Sequence, residues 1–332
     1  MSLSTPVAFI IFNRPDTTER VFEAIRQAKP LKLLVVADGP RTDLPGEVEK
    51  CVATRAVIDR VDWECEVLTN YSDINLGCKR RVSSGIDWVF SLVEAAIILE
   101  DDCLPAPSFF QFCETLLEKY RYDDRIVHIE GTNLQFGQTR TPYSYYFSKY
   151  PGIWGWASWR RAWQNYDVNL KSWEEFKKSQ AIESIHPNPY EQKYWTEILD
   201  RVHQGKIDTW DYQWNYACWS QGGLSIVPEV NLITNIGFRP DATHTTHQSN
   251  LAALPLSEIS QLEHPPFIVA HRDADEYIFD CLLGGKVMEA ADSLAGKVRT
   301  NLSTLKRRLK NLAADPMSLP DLLRRKIGNS IY

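Results

Sequence analysis

The chain lacks most of the features that would fix its class at a glance. Its seven cysteines, at 51, 65, 78, 103, 113, 218 and 281, are odd in number and form no C-x-x-C pair. That scatter argues against a disulfide framework and a cysteine-based zinc site, and fits a reducing compartment. Long apolar runs are missing too. The longest, near Val7–Phe12 and Ala95–Leu99, fall far short of the roughly 20 residues a spanning helix needs. The opening Met1-Ser-Leu-Ser-Thr-Pro6 has no basic start followed by a long apolar stretch, so we expect no secretory leader and a cytoplasmic protein. Repeats and low-complexity tracts are absent. Positive charge is scarce in the body of the chain. From Ala291 to Tyr332 there are nine Lys/Arg against three Asp/Glu, or +6; with −6 for the whole chain, the rest carries −12. An acidic body lacks the clustered cations that nucleic-acid phosphates require.

What is present is a globular composition, 44% hydrophobic and 24% charged over 332 residues, enough for about two domains. The first half alternates apolar strands with helical periodicity. Strands are expected at 6–12, 31–37, 64–69 and 95–99, and helices at 17–28, 48–61 and 79–92. Continuous apolar strands between helices predict a mostly parallel sheet covered on both faces. Ligands of such sheets bind outside the carboxyl ends of the strands. Arg14, Asp38 and Glu100-Asp101-Asp102 all fall at such ends. Further helices are expected over 109–120, 156–166 and 190–204, and strands at 224–228 and 230–234. Nine of the eleven tryptophans lie between Trp154 and Trp219, which suits either a bulky core or a surface for flat ligands.

Three groups of residues could carry chemistry. Adjacent carboxylates at Glu100-Asp101-Asp102 repel one another and are costly to desolvate without a cation. A divalent metal removes that conflict, and Mg²⁺ or Mn²⁺ is commonly held by one or two carboxylates plus substrate phosphates. The competing reading is an acidic turn before Pro105. Asp211, between Trp210 and Tyr212-Gln213-Trp214, could be a general base with its affinity for protons raised by aromatic neighbours, or simply cap a helix. His244 and His247, in a Gly/Thr-rich stretch after Gly237, could ligate a metal or bind a diphosphate, or merely face solvent.

Read in order, several short elements share one pattern: Pro6-Val7 with Arg14, Asp38, the helix with Arg80 and Arg81, and Ala96-Ile-Ile-Leu-Glu-Asp-Asp102 with Pro105-Ala-Pro-Ser-Phe109-Phe110. They continue with Pro151-Gly152-Ile-Trp-Gly155-Trp156, Trp210-Asp211 and Pro228-Glu229. The chain from Pro6 to about Phe238 thereby resembles inverting glycosyltransferases of the GT-A fold, in particular the N-acetylglucosaminyltransferase I type (glycosyltransferase family 13). One residue is inserted in the P-G-x-G-W element. The resemblance implies a metal-dependent enzyme moving a sugar from a nucleotide-diphosphate donor, a UDP-sugar, to a hydroxyl of a glycan or glycolipid. It places Asp38 at the uracil, Arg14 beside the nucleotide, and Arg81 where the family has a nucleotide-contacting histidine. Glu100 would meet the donor sugar, Asp101 the ribose and Asp102 the metal, with His244 a secondary metal or diphosphate ligand. Asp211 would be the catalytic base, and Asn235 would lie in a loop closing over the donor. Trp154, Trp156, Trp210 and Trp214 would form the acceptor side.

The expected organisation is a GT-A catalytic domain over 1–250, with a nucleotide-sugar half (1–103) and an acceptor half (104–250), followed by a C-terminal extension over 251–332. In that extension Val298, Leu302, Leu305, Leu309 and Leu312 alternate by four and three beside Lys306, Arg307, Arg308 and Lys310, as in a basic amphipathic helix. It would contact a membrane peripherally at its inner face, pair with a second chain, or pack on the acidic body. Two rival functions stay open. A nucleotidyltransferase or retaining transferase on a related fold calls for a Gly-rich phosphate loop after the first strand in the nucleotidyltransferase case, and Asn13-Arg14-Pro15-Asp16 is not one. A non-catalytic glycan-binding relative would lack some of the carboxylates, and all are present.

Overall fold

A computed structural model describes residues 2–238, 251–252, 254–293, 296, 298 and 302–303. The first part of the chain runs β1 (Val7–Ile11), α1 (Pro15–Ala28), β2 (Lys32–Ala37), α2 (Glu47–Ala56), a 3₁₀ turn (Val57–Arg60), β3 (Glu66–Tyr71), α3 (Gly77–Leu92) and β4 (Ala95–Glu100). It continues with β5 (Cys103–Pro105), α4 (Pro107–Lys119), β6 (Ile126–Glu130), β7 (Tyr145–Ser148), β8 (Trp156–Trp159), α5 (Arg160–Trp163), α6 (Trp173–Lys178) and α7 (Ala181–Ile185). Then come α8 (Pro189–His203), α9 (Asp211–Ser220), β9 (Leu224–Pro228), β10 (Ile233–Asn235), α10 (Arg272–Tyr277) and α11 (Gly285–Asp292).

One sheet of eight strands, ordered β3-β2-β1-β4-β8-β6-β9-β7, organises the fold. Strands β1 to β4 are parallel, with Val7 opposite both Leu33 and Ile97. Strand β8 enters antiparallel between β4 and β6, β9 pairs parallel with β6, and β7 closes the edge antiparallel. The sheet is thus parallel on one side and mixed on the other, and β5 and β10 form a separate antiparallel pair. Alternation along β1, β2 and β4 sends Val7, Phe9, Leu33, Val35, Ile97 and Leu99 into one core with residues of α1 and α4. Ala8, Ile10, Leu34, Val36, Ala96 and Ile98 go into a second core with α3, α5 and α9. Burial on both faces is why these strands read as unbroken apolar runs.

The region expected as a helix over 156–166 differs. Trp156, Trp159 and Trp163 have helical spacing, yet 156–159 is strand β8 and only Arg160–Trp163 turns helical. Both faces of β8 are buried, with Trp156 in one core and Trp159 in the other, so the spacing reflects a doubly covered strand. The expected strand over 230–234 is shorter and later, Ile233–Asn235.

The chain forms two compact units, Met1–Ile278 and Phe279–Tyr332. Ile259, Leu262 and Ile268 pack on the first core, so the first compact unit runs past residue 250. Most of the basic amphipathic stretch, including Leu305, Leu309 and Leu312, lies outside the described residues, as do His244 and His247. Among the described residues no helix is long and apolar enough to cross a membrane.

Candidate active site

Strand β1 sits between β2 and β4, so the chain leaves its neighbours in opposite directions and a crevice opens at the carboxyl ends. That is where parallel α/β sheets bind ligands. A cleft of about 590 Å³ occupies this place. It is lined by Arg14, Asp38, Arg81, the Glu100–Asp102 triplet, Trp154, Trp210, Asp211 and Asn235, residues that the sequence singles out in seven separate stretches.

Arg14 ends the turn after β1. Pro15 opens α1 and holds the residue before it out of helical geometry, with φ −121° and ψ 76°. The Arg14 side chain is thereby free to reach the end of β4. Its Nη2 donates to Asp101 Oδ1, and its Nη1 to Asp102 Oδ2 at 2.8 Å. Burial opposes the charge on Arg14, but the two carboxylates outweigh it and hold the guanidinium firmly protonated. Asp101 also accepts from the Phe12 amide at 3.1 Å, so its two oxygens are committed to Arg14 and the β1 turn. This buried carboxylate anchors the guanidinium, where contact with a ribose had been expected.

Burial pushes the Asp101 carboxyl up against the pull of Arg14. Burial and then Asp102 and Asp101 push Glu100 up as well, with Arg14 opposing. Both shifts express the cost of holding adjacent carboxylates in one buried place. Asp102 is left with Oδ1, which faces the Cys103 thiol at 3.6 Å.

Pairing of Cys103 with Asn235 carries β10 to the triplet. Asn235 is thus a strand residue at the cleft wall, not part of a loop, and its Oδ1 accepts from the Gly237 amide at 2.8 Å. The Ile236 amide donates to the Asp102 carbonyl at 2.8 Å. The backbone after β10 passes so close to the ion pair that a Cβ on Gly237 would sit 2.1 Å from Asp102 Oδ2 and 2.8 Å from Arg14 Nη1. Only glycine fits there.

Asp38 differs from expectation. Oδ1 accepts from the Gly39 and Leu76 amides, both at 2.9 Å, and Oδ2 from the Gly77 amide at 3.1 Å and Asn75 Nδ2 at 3.2 Å. Those bonds take up the roughly four acceptor positions of a carboxylate. Asp38 fastens the start of α3 to the end of β2 and shapes the cleft. Arg81 lies beside it, buried, with Nη2 bonded to Asn70 Oδ1 at 2.8 Å and Nε without a partner. Burial lowers its proton affinity, countered by Asp38.

On the other wall Asp211 is the first residue of α9, so the helix-start reading is right about its place. Its carboxylate nevertheless faces the cleft, where Thr209 Oγ1 donates to Oδ1. The 208–210 turn is held by Gln213 Nε2 on the Thr209 carbonyl (2.7 Å) and the Tyr166 hydroxyl on the Trp210 carbonyl (3.0 Å). Cys78, also in the cleft, has its thiol pushed up to about 12 by burial and then by Glu100, Asp211 and Asp208, so it stays protonated and unreactive.

The tryptophan cluster is mainly core. Eight of the nine between 154 and 219 are buried. Trp156 and Trp214, expected on the acceptor side, are 0% and 1% exposed and do not line the cleft. They fill the second core, where they stack with Trp163, Trp210 and His128. Trp154 is half-buried at the rim, with Phe238 edge-on at 5.6 Å. Sequence reasoning missed Arg41, Asn75, Asp208, Thr209 and Tyr212, which also line the cleft. Thr209 and Tyr212 flank the Trp210-Asp211 pair, and that adjacency was the available signal.

Among the described residues no three His, Cys, Asp or Glu side chains are placed to hold a metal. The donor set still suits Mg²⁺ or Mn²⁺ bound to substrate phosphates, since those ions need only one or two protein carboxylates. Asp102 is a carboxylate there with an oxygen, Oδ1, not paired with Arg14.

A second cavity, of about 490 Å³, lies at the amino ends of β1 and β4 and is lined by Lys32, Glu94 and Arg121 among others. Their charges pair locally, with Glu66, Arg160 and Glu118, and no chemistry is attached to it.

No family model matches the chain, and neither does any curated protein. Among solved structures it is similar to UDP-glucose pyrophosphorylase complexed with UDP-glucose, at 9% identity and TM-score 0.35, covering 68% of this chain and 90% of that one. It is also similar to 4-diphosphocytidyl-2C-methyl-D-erythritol synthase from Anaerococcus prevotii DSM 20548, at 10% identity and TM-score 0.32, covering 49% and 73%. The chain itself is an α/β protein with a mostly parallel central sheet flanked by helices.

Proposed function

We propose that the protein is an inverting glycosyltransferase of GT-A type, using a nucleotide-diphosphate sugar, a UDP-sugar, and an acceptor hydroxyl on a glycan or glycolipid. The observation that carries this reading is the composition of one cleft. A guanidinium–carboxylate cluster forms one wall, and Asp211 with Asp208 beside aromatic residues forms the other.

Transfer breaks the bond between the sugar and the diphosphate and forms a bond from the acceptor oxygen on the opposite face. Arg14 lies where the departing diphosphate needs positive charge, and preorganised charge of that kind is the largest usual contribution to such catalysis. Asp102 would hold Mn²⁺ or Mg²⁺, which when bound adds Lewis-acid stabilisation of the same phosphates. Glu100, lining the cleft beside Asp101 and Asp102, would contact the donor sugar. Arg81 offers donors to the nucleotide end of the cleft. Asp211, oriented by Thr209, takes the proton of the attacking hydroxyl, while Trp154, Trp210 and Tyr212 supply faces for sugar rings. The turn after β1, Asn13-Arg14-Pro15, has no glycine-rich phosphate loop, which favours sugar transfer over nucleotidyl transfer.

The test is a panel of nucleotide sugars incubated with Mn²⁺, Mg²⁺ or EDTA, with the anomer of the product read by proton NMR. The expected result is metal-dependent release of the nucleoside diphosphate and an inverted product. Release of pyrophosphate from a nucleoside triphosphate and a sugar phosphate would replace this reading with a nucleotidyltransferase.

A further inference from the structure

Strand β6 carries two polar residues where its neighbours are apolar. His128 and Glu130 are two apart, hence on one face, and both are buried. His128 stacks on Trp156 at 5.1 Å and 23°. Its Nδ1 lies 3.1 Å from Trp214 Nε1, and its Nε2 lies 2.7 Å from the Gly152 carbonyl. An indole nitrogen only donates and a carbonyl only accepts. The imidazole therefore accepts at Nδ1 and carries its proton on Nε2, and no other tautomer satisfies both contacts. The same residue is held a second time through its other peptide group, where the Gly152 amide donates to Glu130 Oε2 at 3.2 Å. A Cβ on Gly152 would lie 1.8 Å from Glu130 Oε1, so glycine alone allows the grip.

The two ends of this chain of bonds reach the cleft from different elements. Trp214 is one turn along α9 from Asp211, its first residue. Gly152 immediately precedes Ile153 and Trp154, which form the opposite lip, and the Trp154 carbonyl is tied back to Thr132 Oγ1 at 2.9 Å. No ladder hydrogen bond joins the 151–154 segment to α9. Trp219 of α9 does donate to the Lys149 carbonyl at 2.6 Å, just before the segment; within 151–154 the buried imidazole is the polar link to α9 among the described residues.

We propose that His128 is a positioning residue, fixing the helix that carries Asp211 against the lip that carries Trp154 so that an acceptor sugar on the aromatic face meets the base. Resting on the transferase reading, this assigns His128 to the acceptor side and gives it no part in donor binding. Burial lowers the His128 pKa to about 3, so the ring stays neutral and the bond from Trp214 persists at working pH.

The test uses the full chain with His128→Phe, which keeps a stacking ring but removes both hydrogen bonds, and Trp214→Phe, which removes only the indole donor. For both, the acceptor KM should rise and kcat for transfer fall, together at least tenfold in kcat/KM. Affinity for UDP with Mn²⁺, measured by calorimetry, should stay within twofold. His128→Asn, able to accept from Trp214, should recover part of the loss. A pair combining His128→Phe with Trp154→Ala should be less than additive, since both act on one lip. The inference is overturned if the Phe variants transfer at the wild-type rate, or if UDP affinity and transfer fall in parallel, as a general loosening would produce. If wild-type protein turns over no nucleotide sugar but the variants bind UDP like wild type, it is the transferase reading that fails.

Discussion

The two walls of the cleft, here called the donor and acceptor walls after the proposed function, are built on different principles. The donor wall stands on the parallel half of the sheet, and its side chains leave successive strand ends. Its charges are settled among themselves: Arg14 bridges Asp101 and Asp102, and Asp38 is saturated by the α3 amides. The acceptor wall stands on the mixed half, where a helix start and a loop approach each other across a tryptophan core. It has one orienting contact at the base, from Thr209, and a buried histidine behind it. Preorganised charge on one side and mechanical placement on the other should give separable effects on substitution.

The sharpest separation is Asp211→Asn. The amide keeps the size of the side chain and removes the base. Transfer should fall about 10²–10⁴-fold, the usual contribution of a general base, while UDP affinity in Mn²⁺ stays unchanged. Near wild-type transfer would move the role to Asp208, the nearest other carboxylate in the same wall.

Asp102→Asn probes the donor wall. We expect loss of the metal-dependent part of UDP binding and turnover, of the order of tenfold to a hundredfold per charge-assisted contact removed. UDP affinity that ignores both EDTA and the substitution would leave Arg14 as the cation for the diphosphate and remove the metal.

Trp154→Ala should raise the acceptor KM by about tenfold, equivalent to ~1.4 kcal/mol, with UDP affinity intact. Trp214→Ala is the contrast. Truncating a fully buried tryptophan costs about 3–5 kcal/mol of stability, so thermal unfolding should move before any selective kinetic effect is seen. If the two variants behave alike, the division into rim and core is wrong.

The contrast between the walls also explains what could be read in the sequence. Strands β1, β2 and β4 are legible because burial on both faces makes them continuous apolar runs, and each hands its polar residues to the same edge. Arg14, the triplet and Asp211 were therefore locatable by order along the chain. What Asp38 and Asp101 do was not, since their partners are backbone amides and an arginine that only the fold brings near. The mixed half was harder. Trp156, Trp159 and Trp163 imitate helical spacing, and β6 and β7 pair with strands far away in sequence. His128 and Glu130 were overlooked although a histidine and a glutamate inside Ile126-Val-His-Ile-Glu130 were visible, because their meaning depends on Gly152 and Trp214.

The smallest effect on transfer, and the most direct probe of the buried scaffold behind the acceptor wall, is Glu130→Gln. Glu130 has no cation partner among the described residues. Burial pushes its carboxyl up to about 8, against a modest opposing pull from the Gly152 amide. The folded state therefore holds this proton more tightly than the unfolded chain, whose value is 4.5. Below pH 4.5 both states are protonated and the group contributes nothing to the pH slope. Between about 4.5 and 8 the unfolded chain releases its proton first, so this group lowers stability by up to ~1.4 kcal/mol per pH unit. Above 8 both states are ionised and the loss levels off. Glutamine cannot ionise and still offers an oxygen to the Gly152 amide. The Glu130→Gln protein should match wild type in stability near pH 4, exceed it progressively toward pH 8, and transfer sugar at a near wild-type rate at neutral pH. Parallel denaturation midpoints for the two proteins across that range would mean that Glu130 is ionised in the fold, with a cation or water at its side.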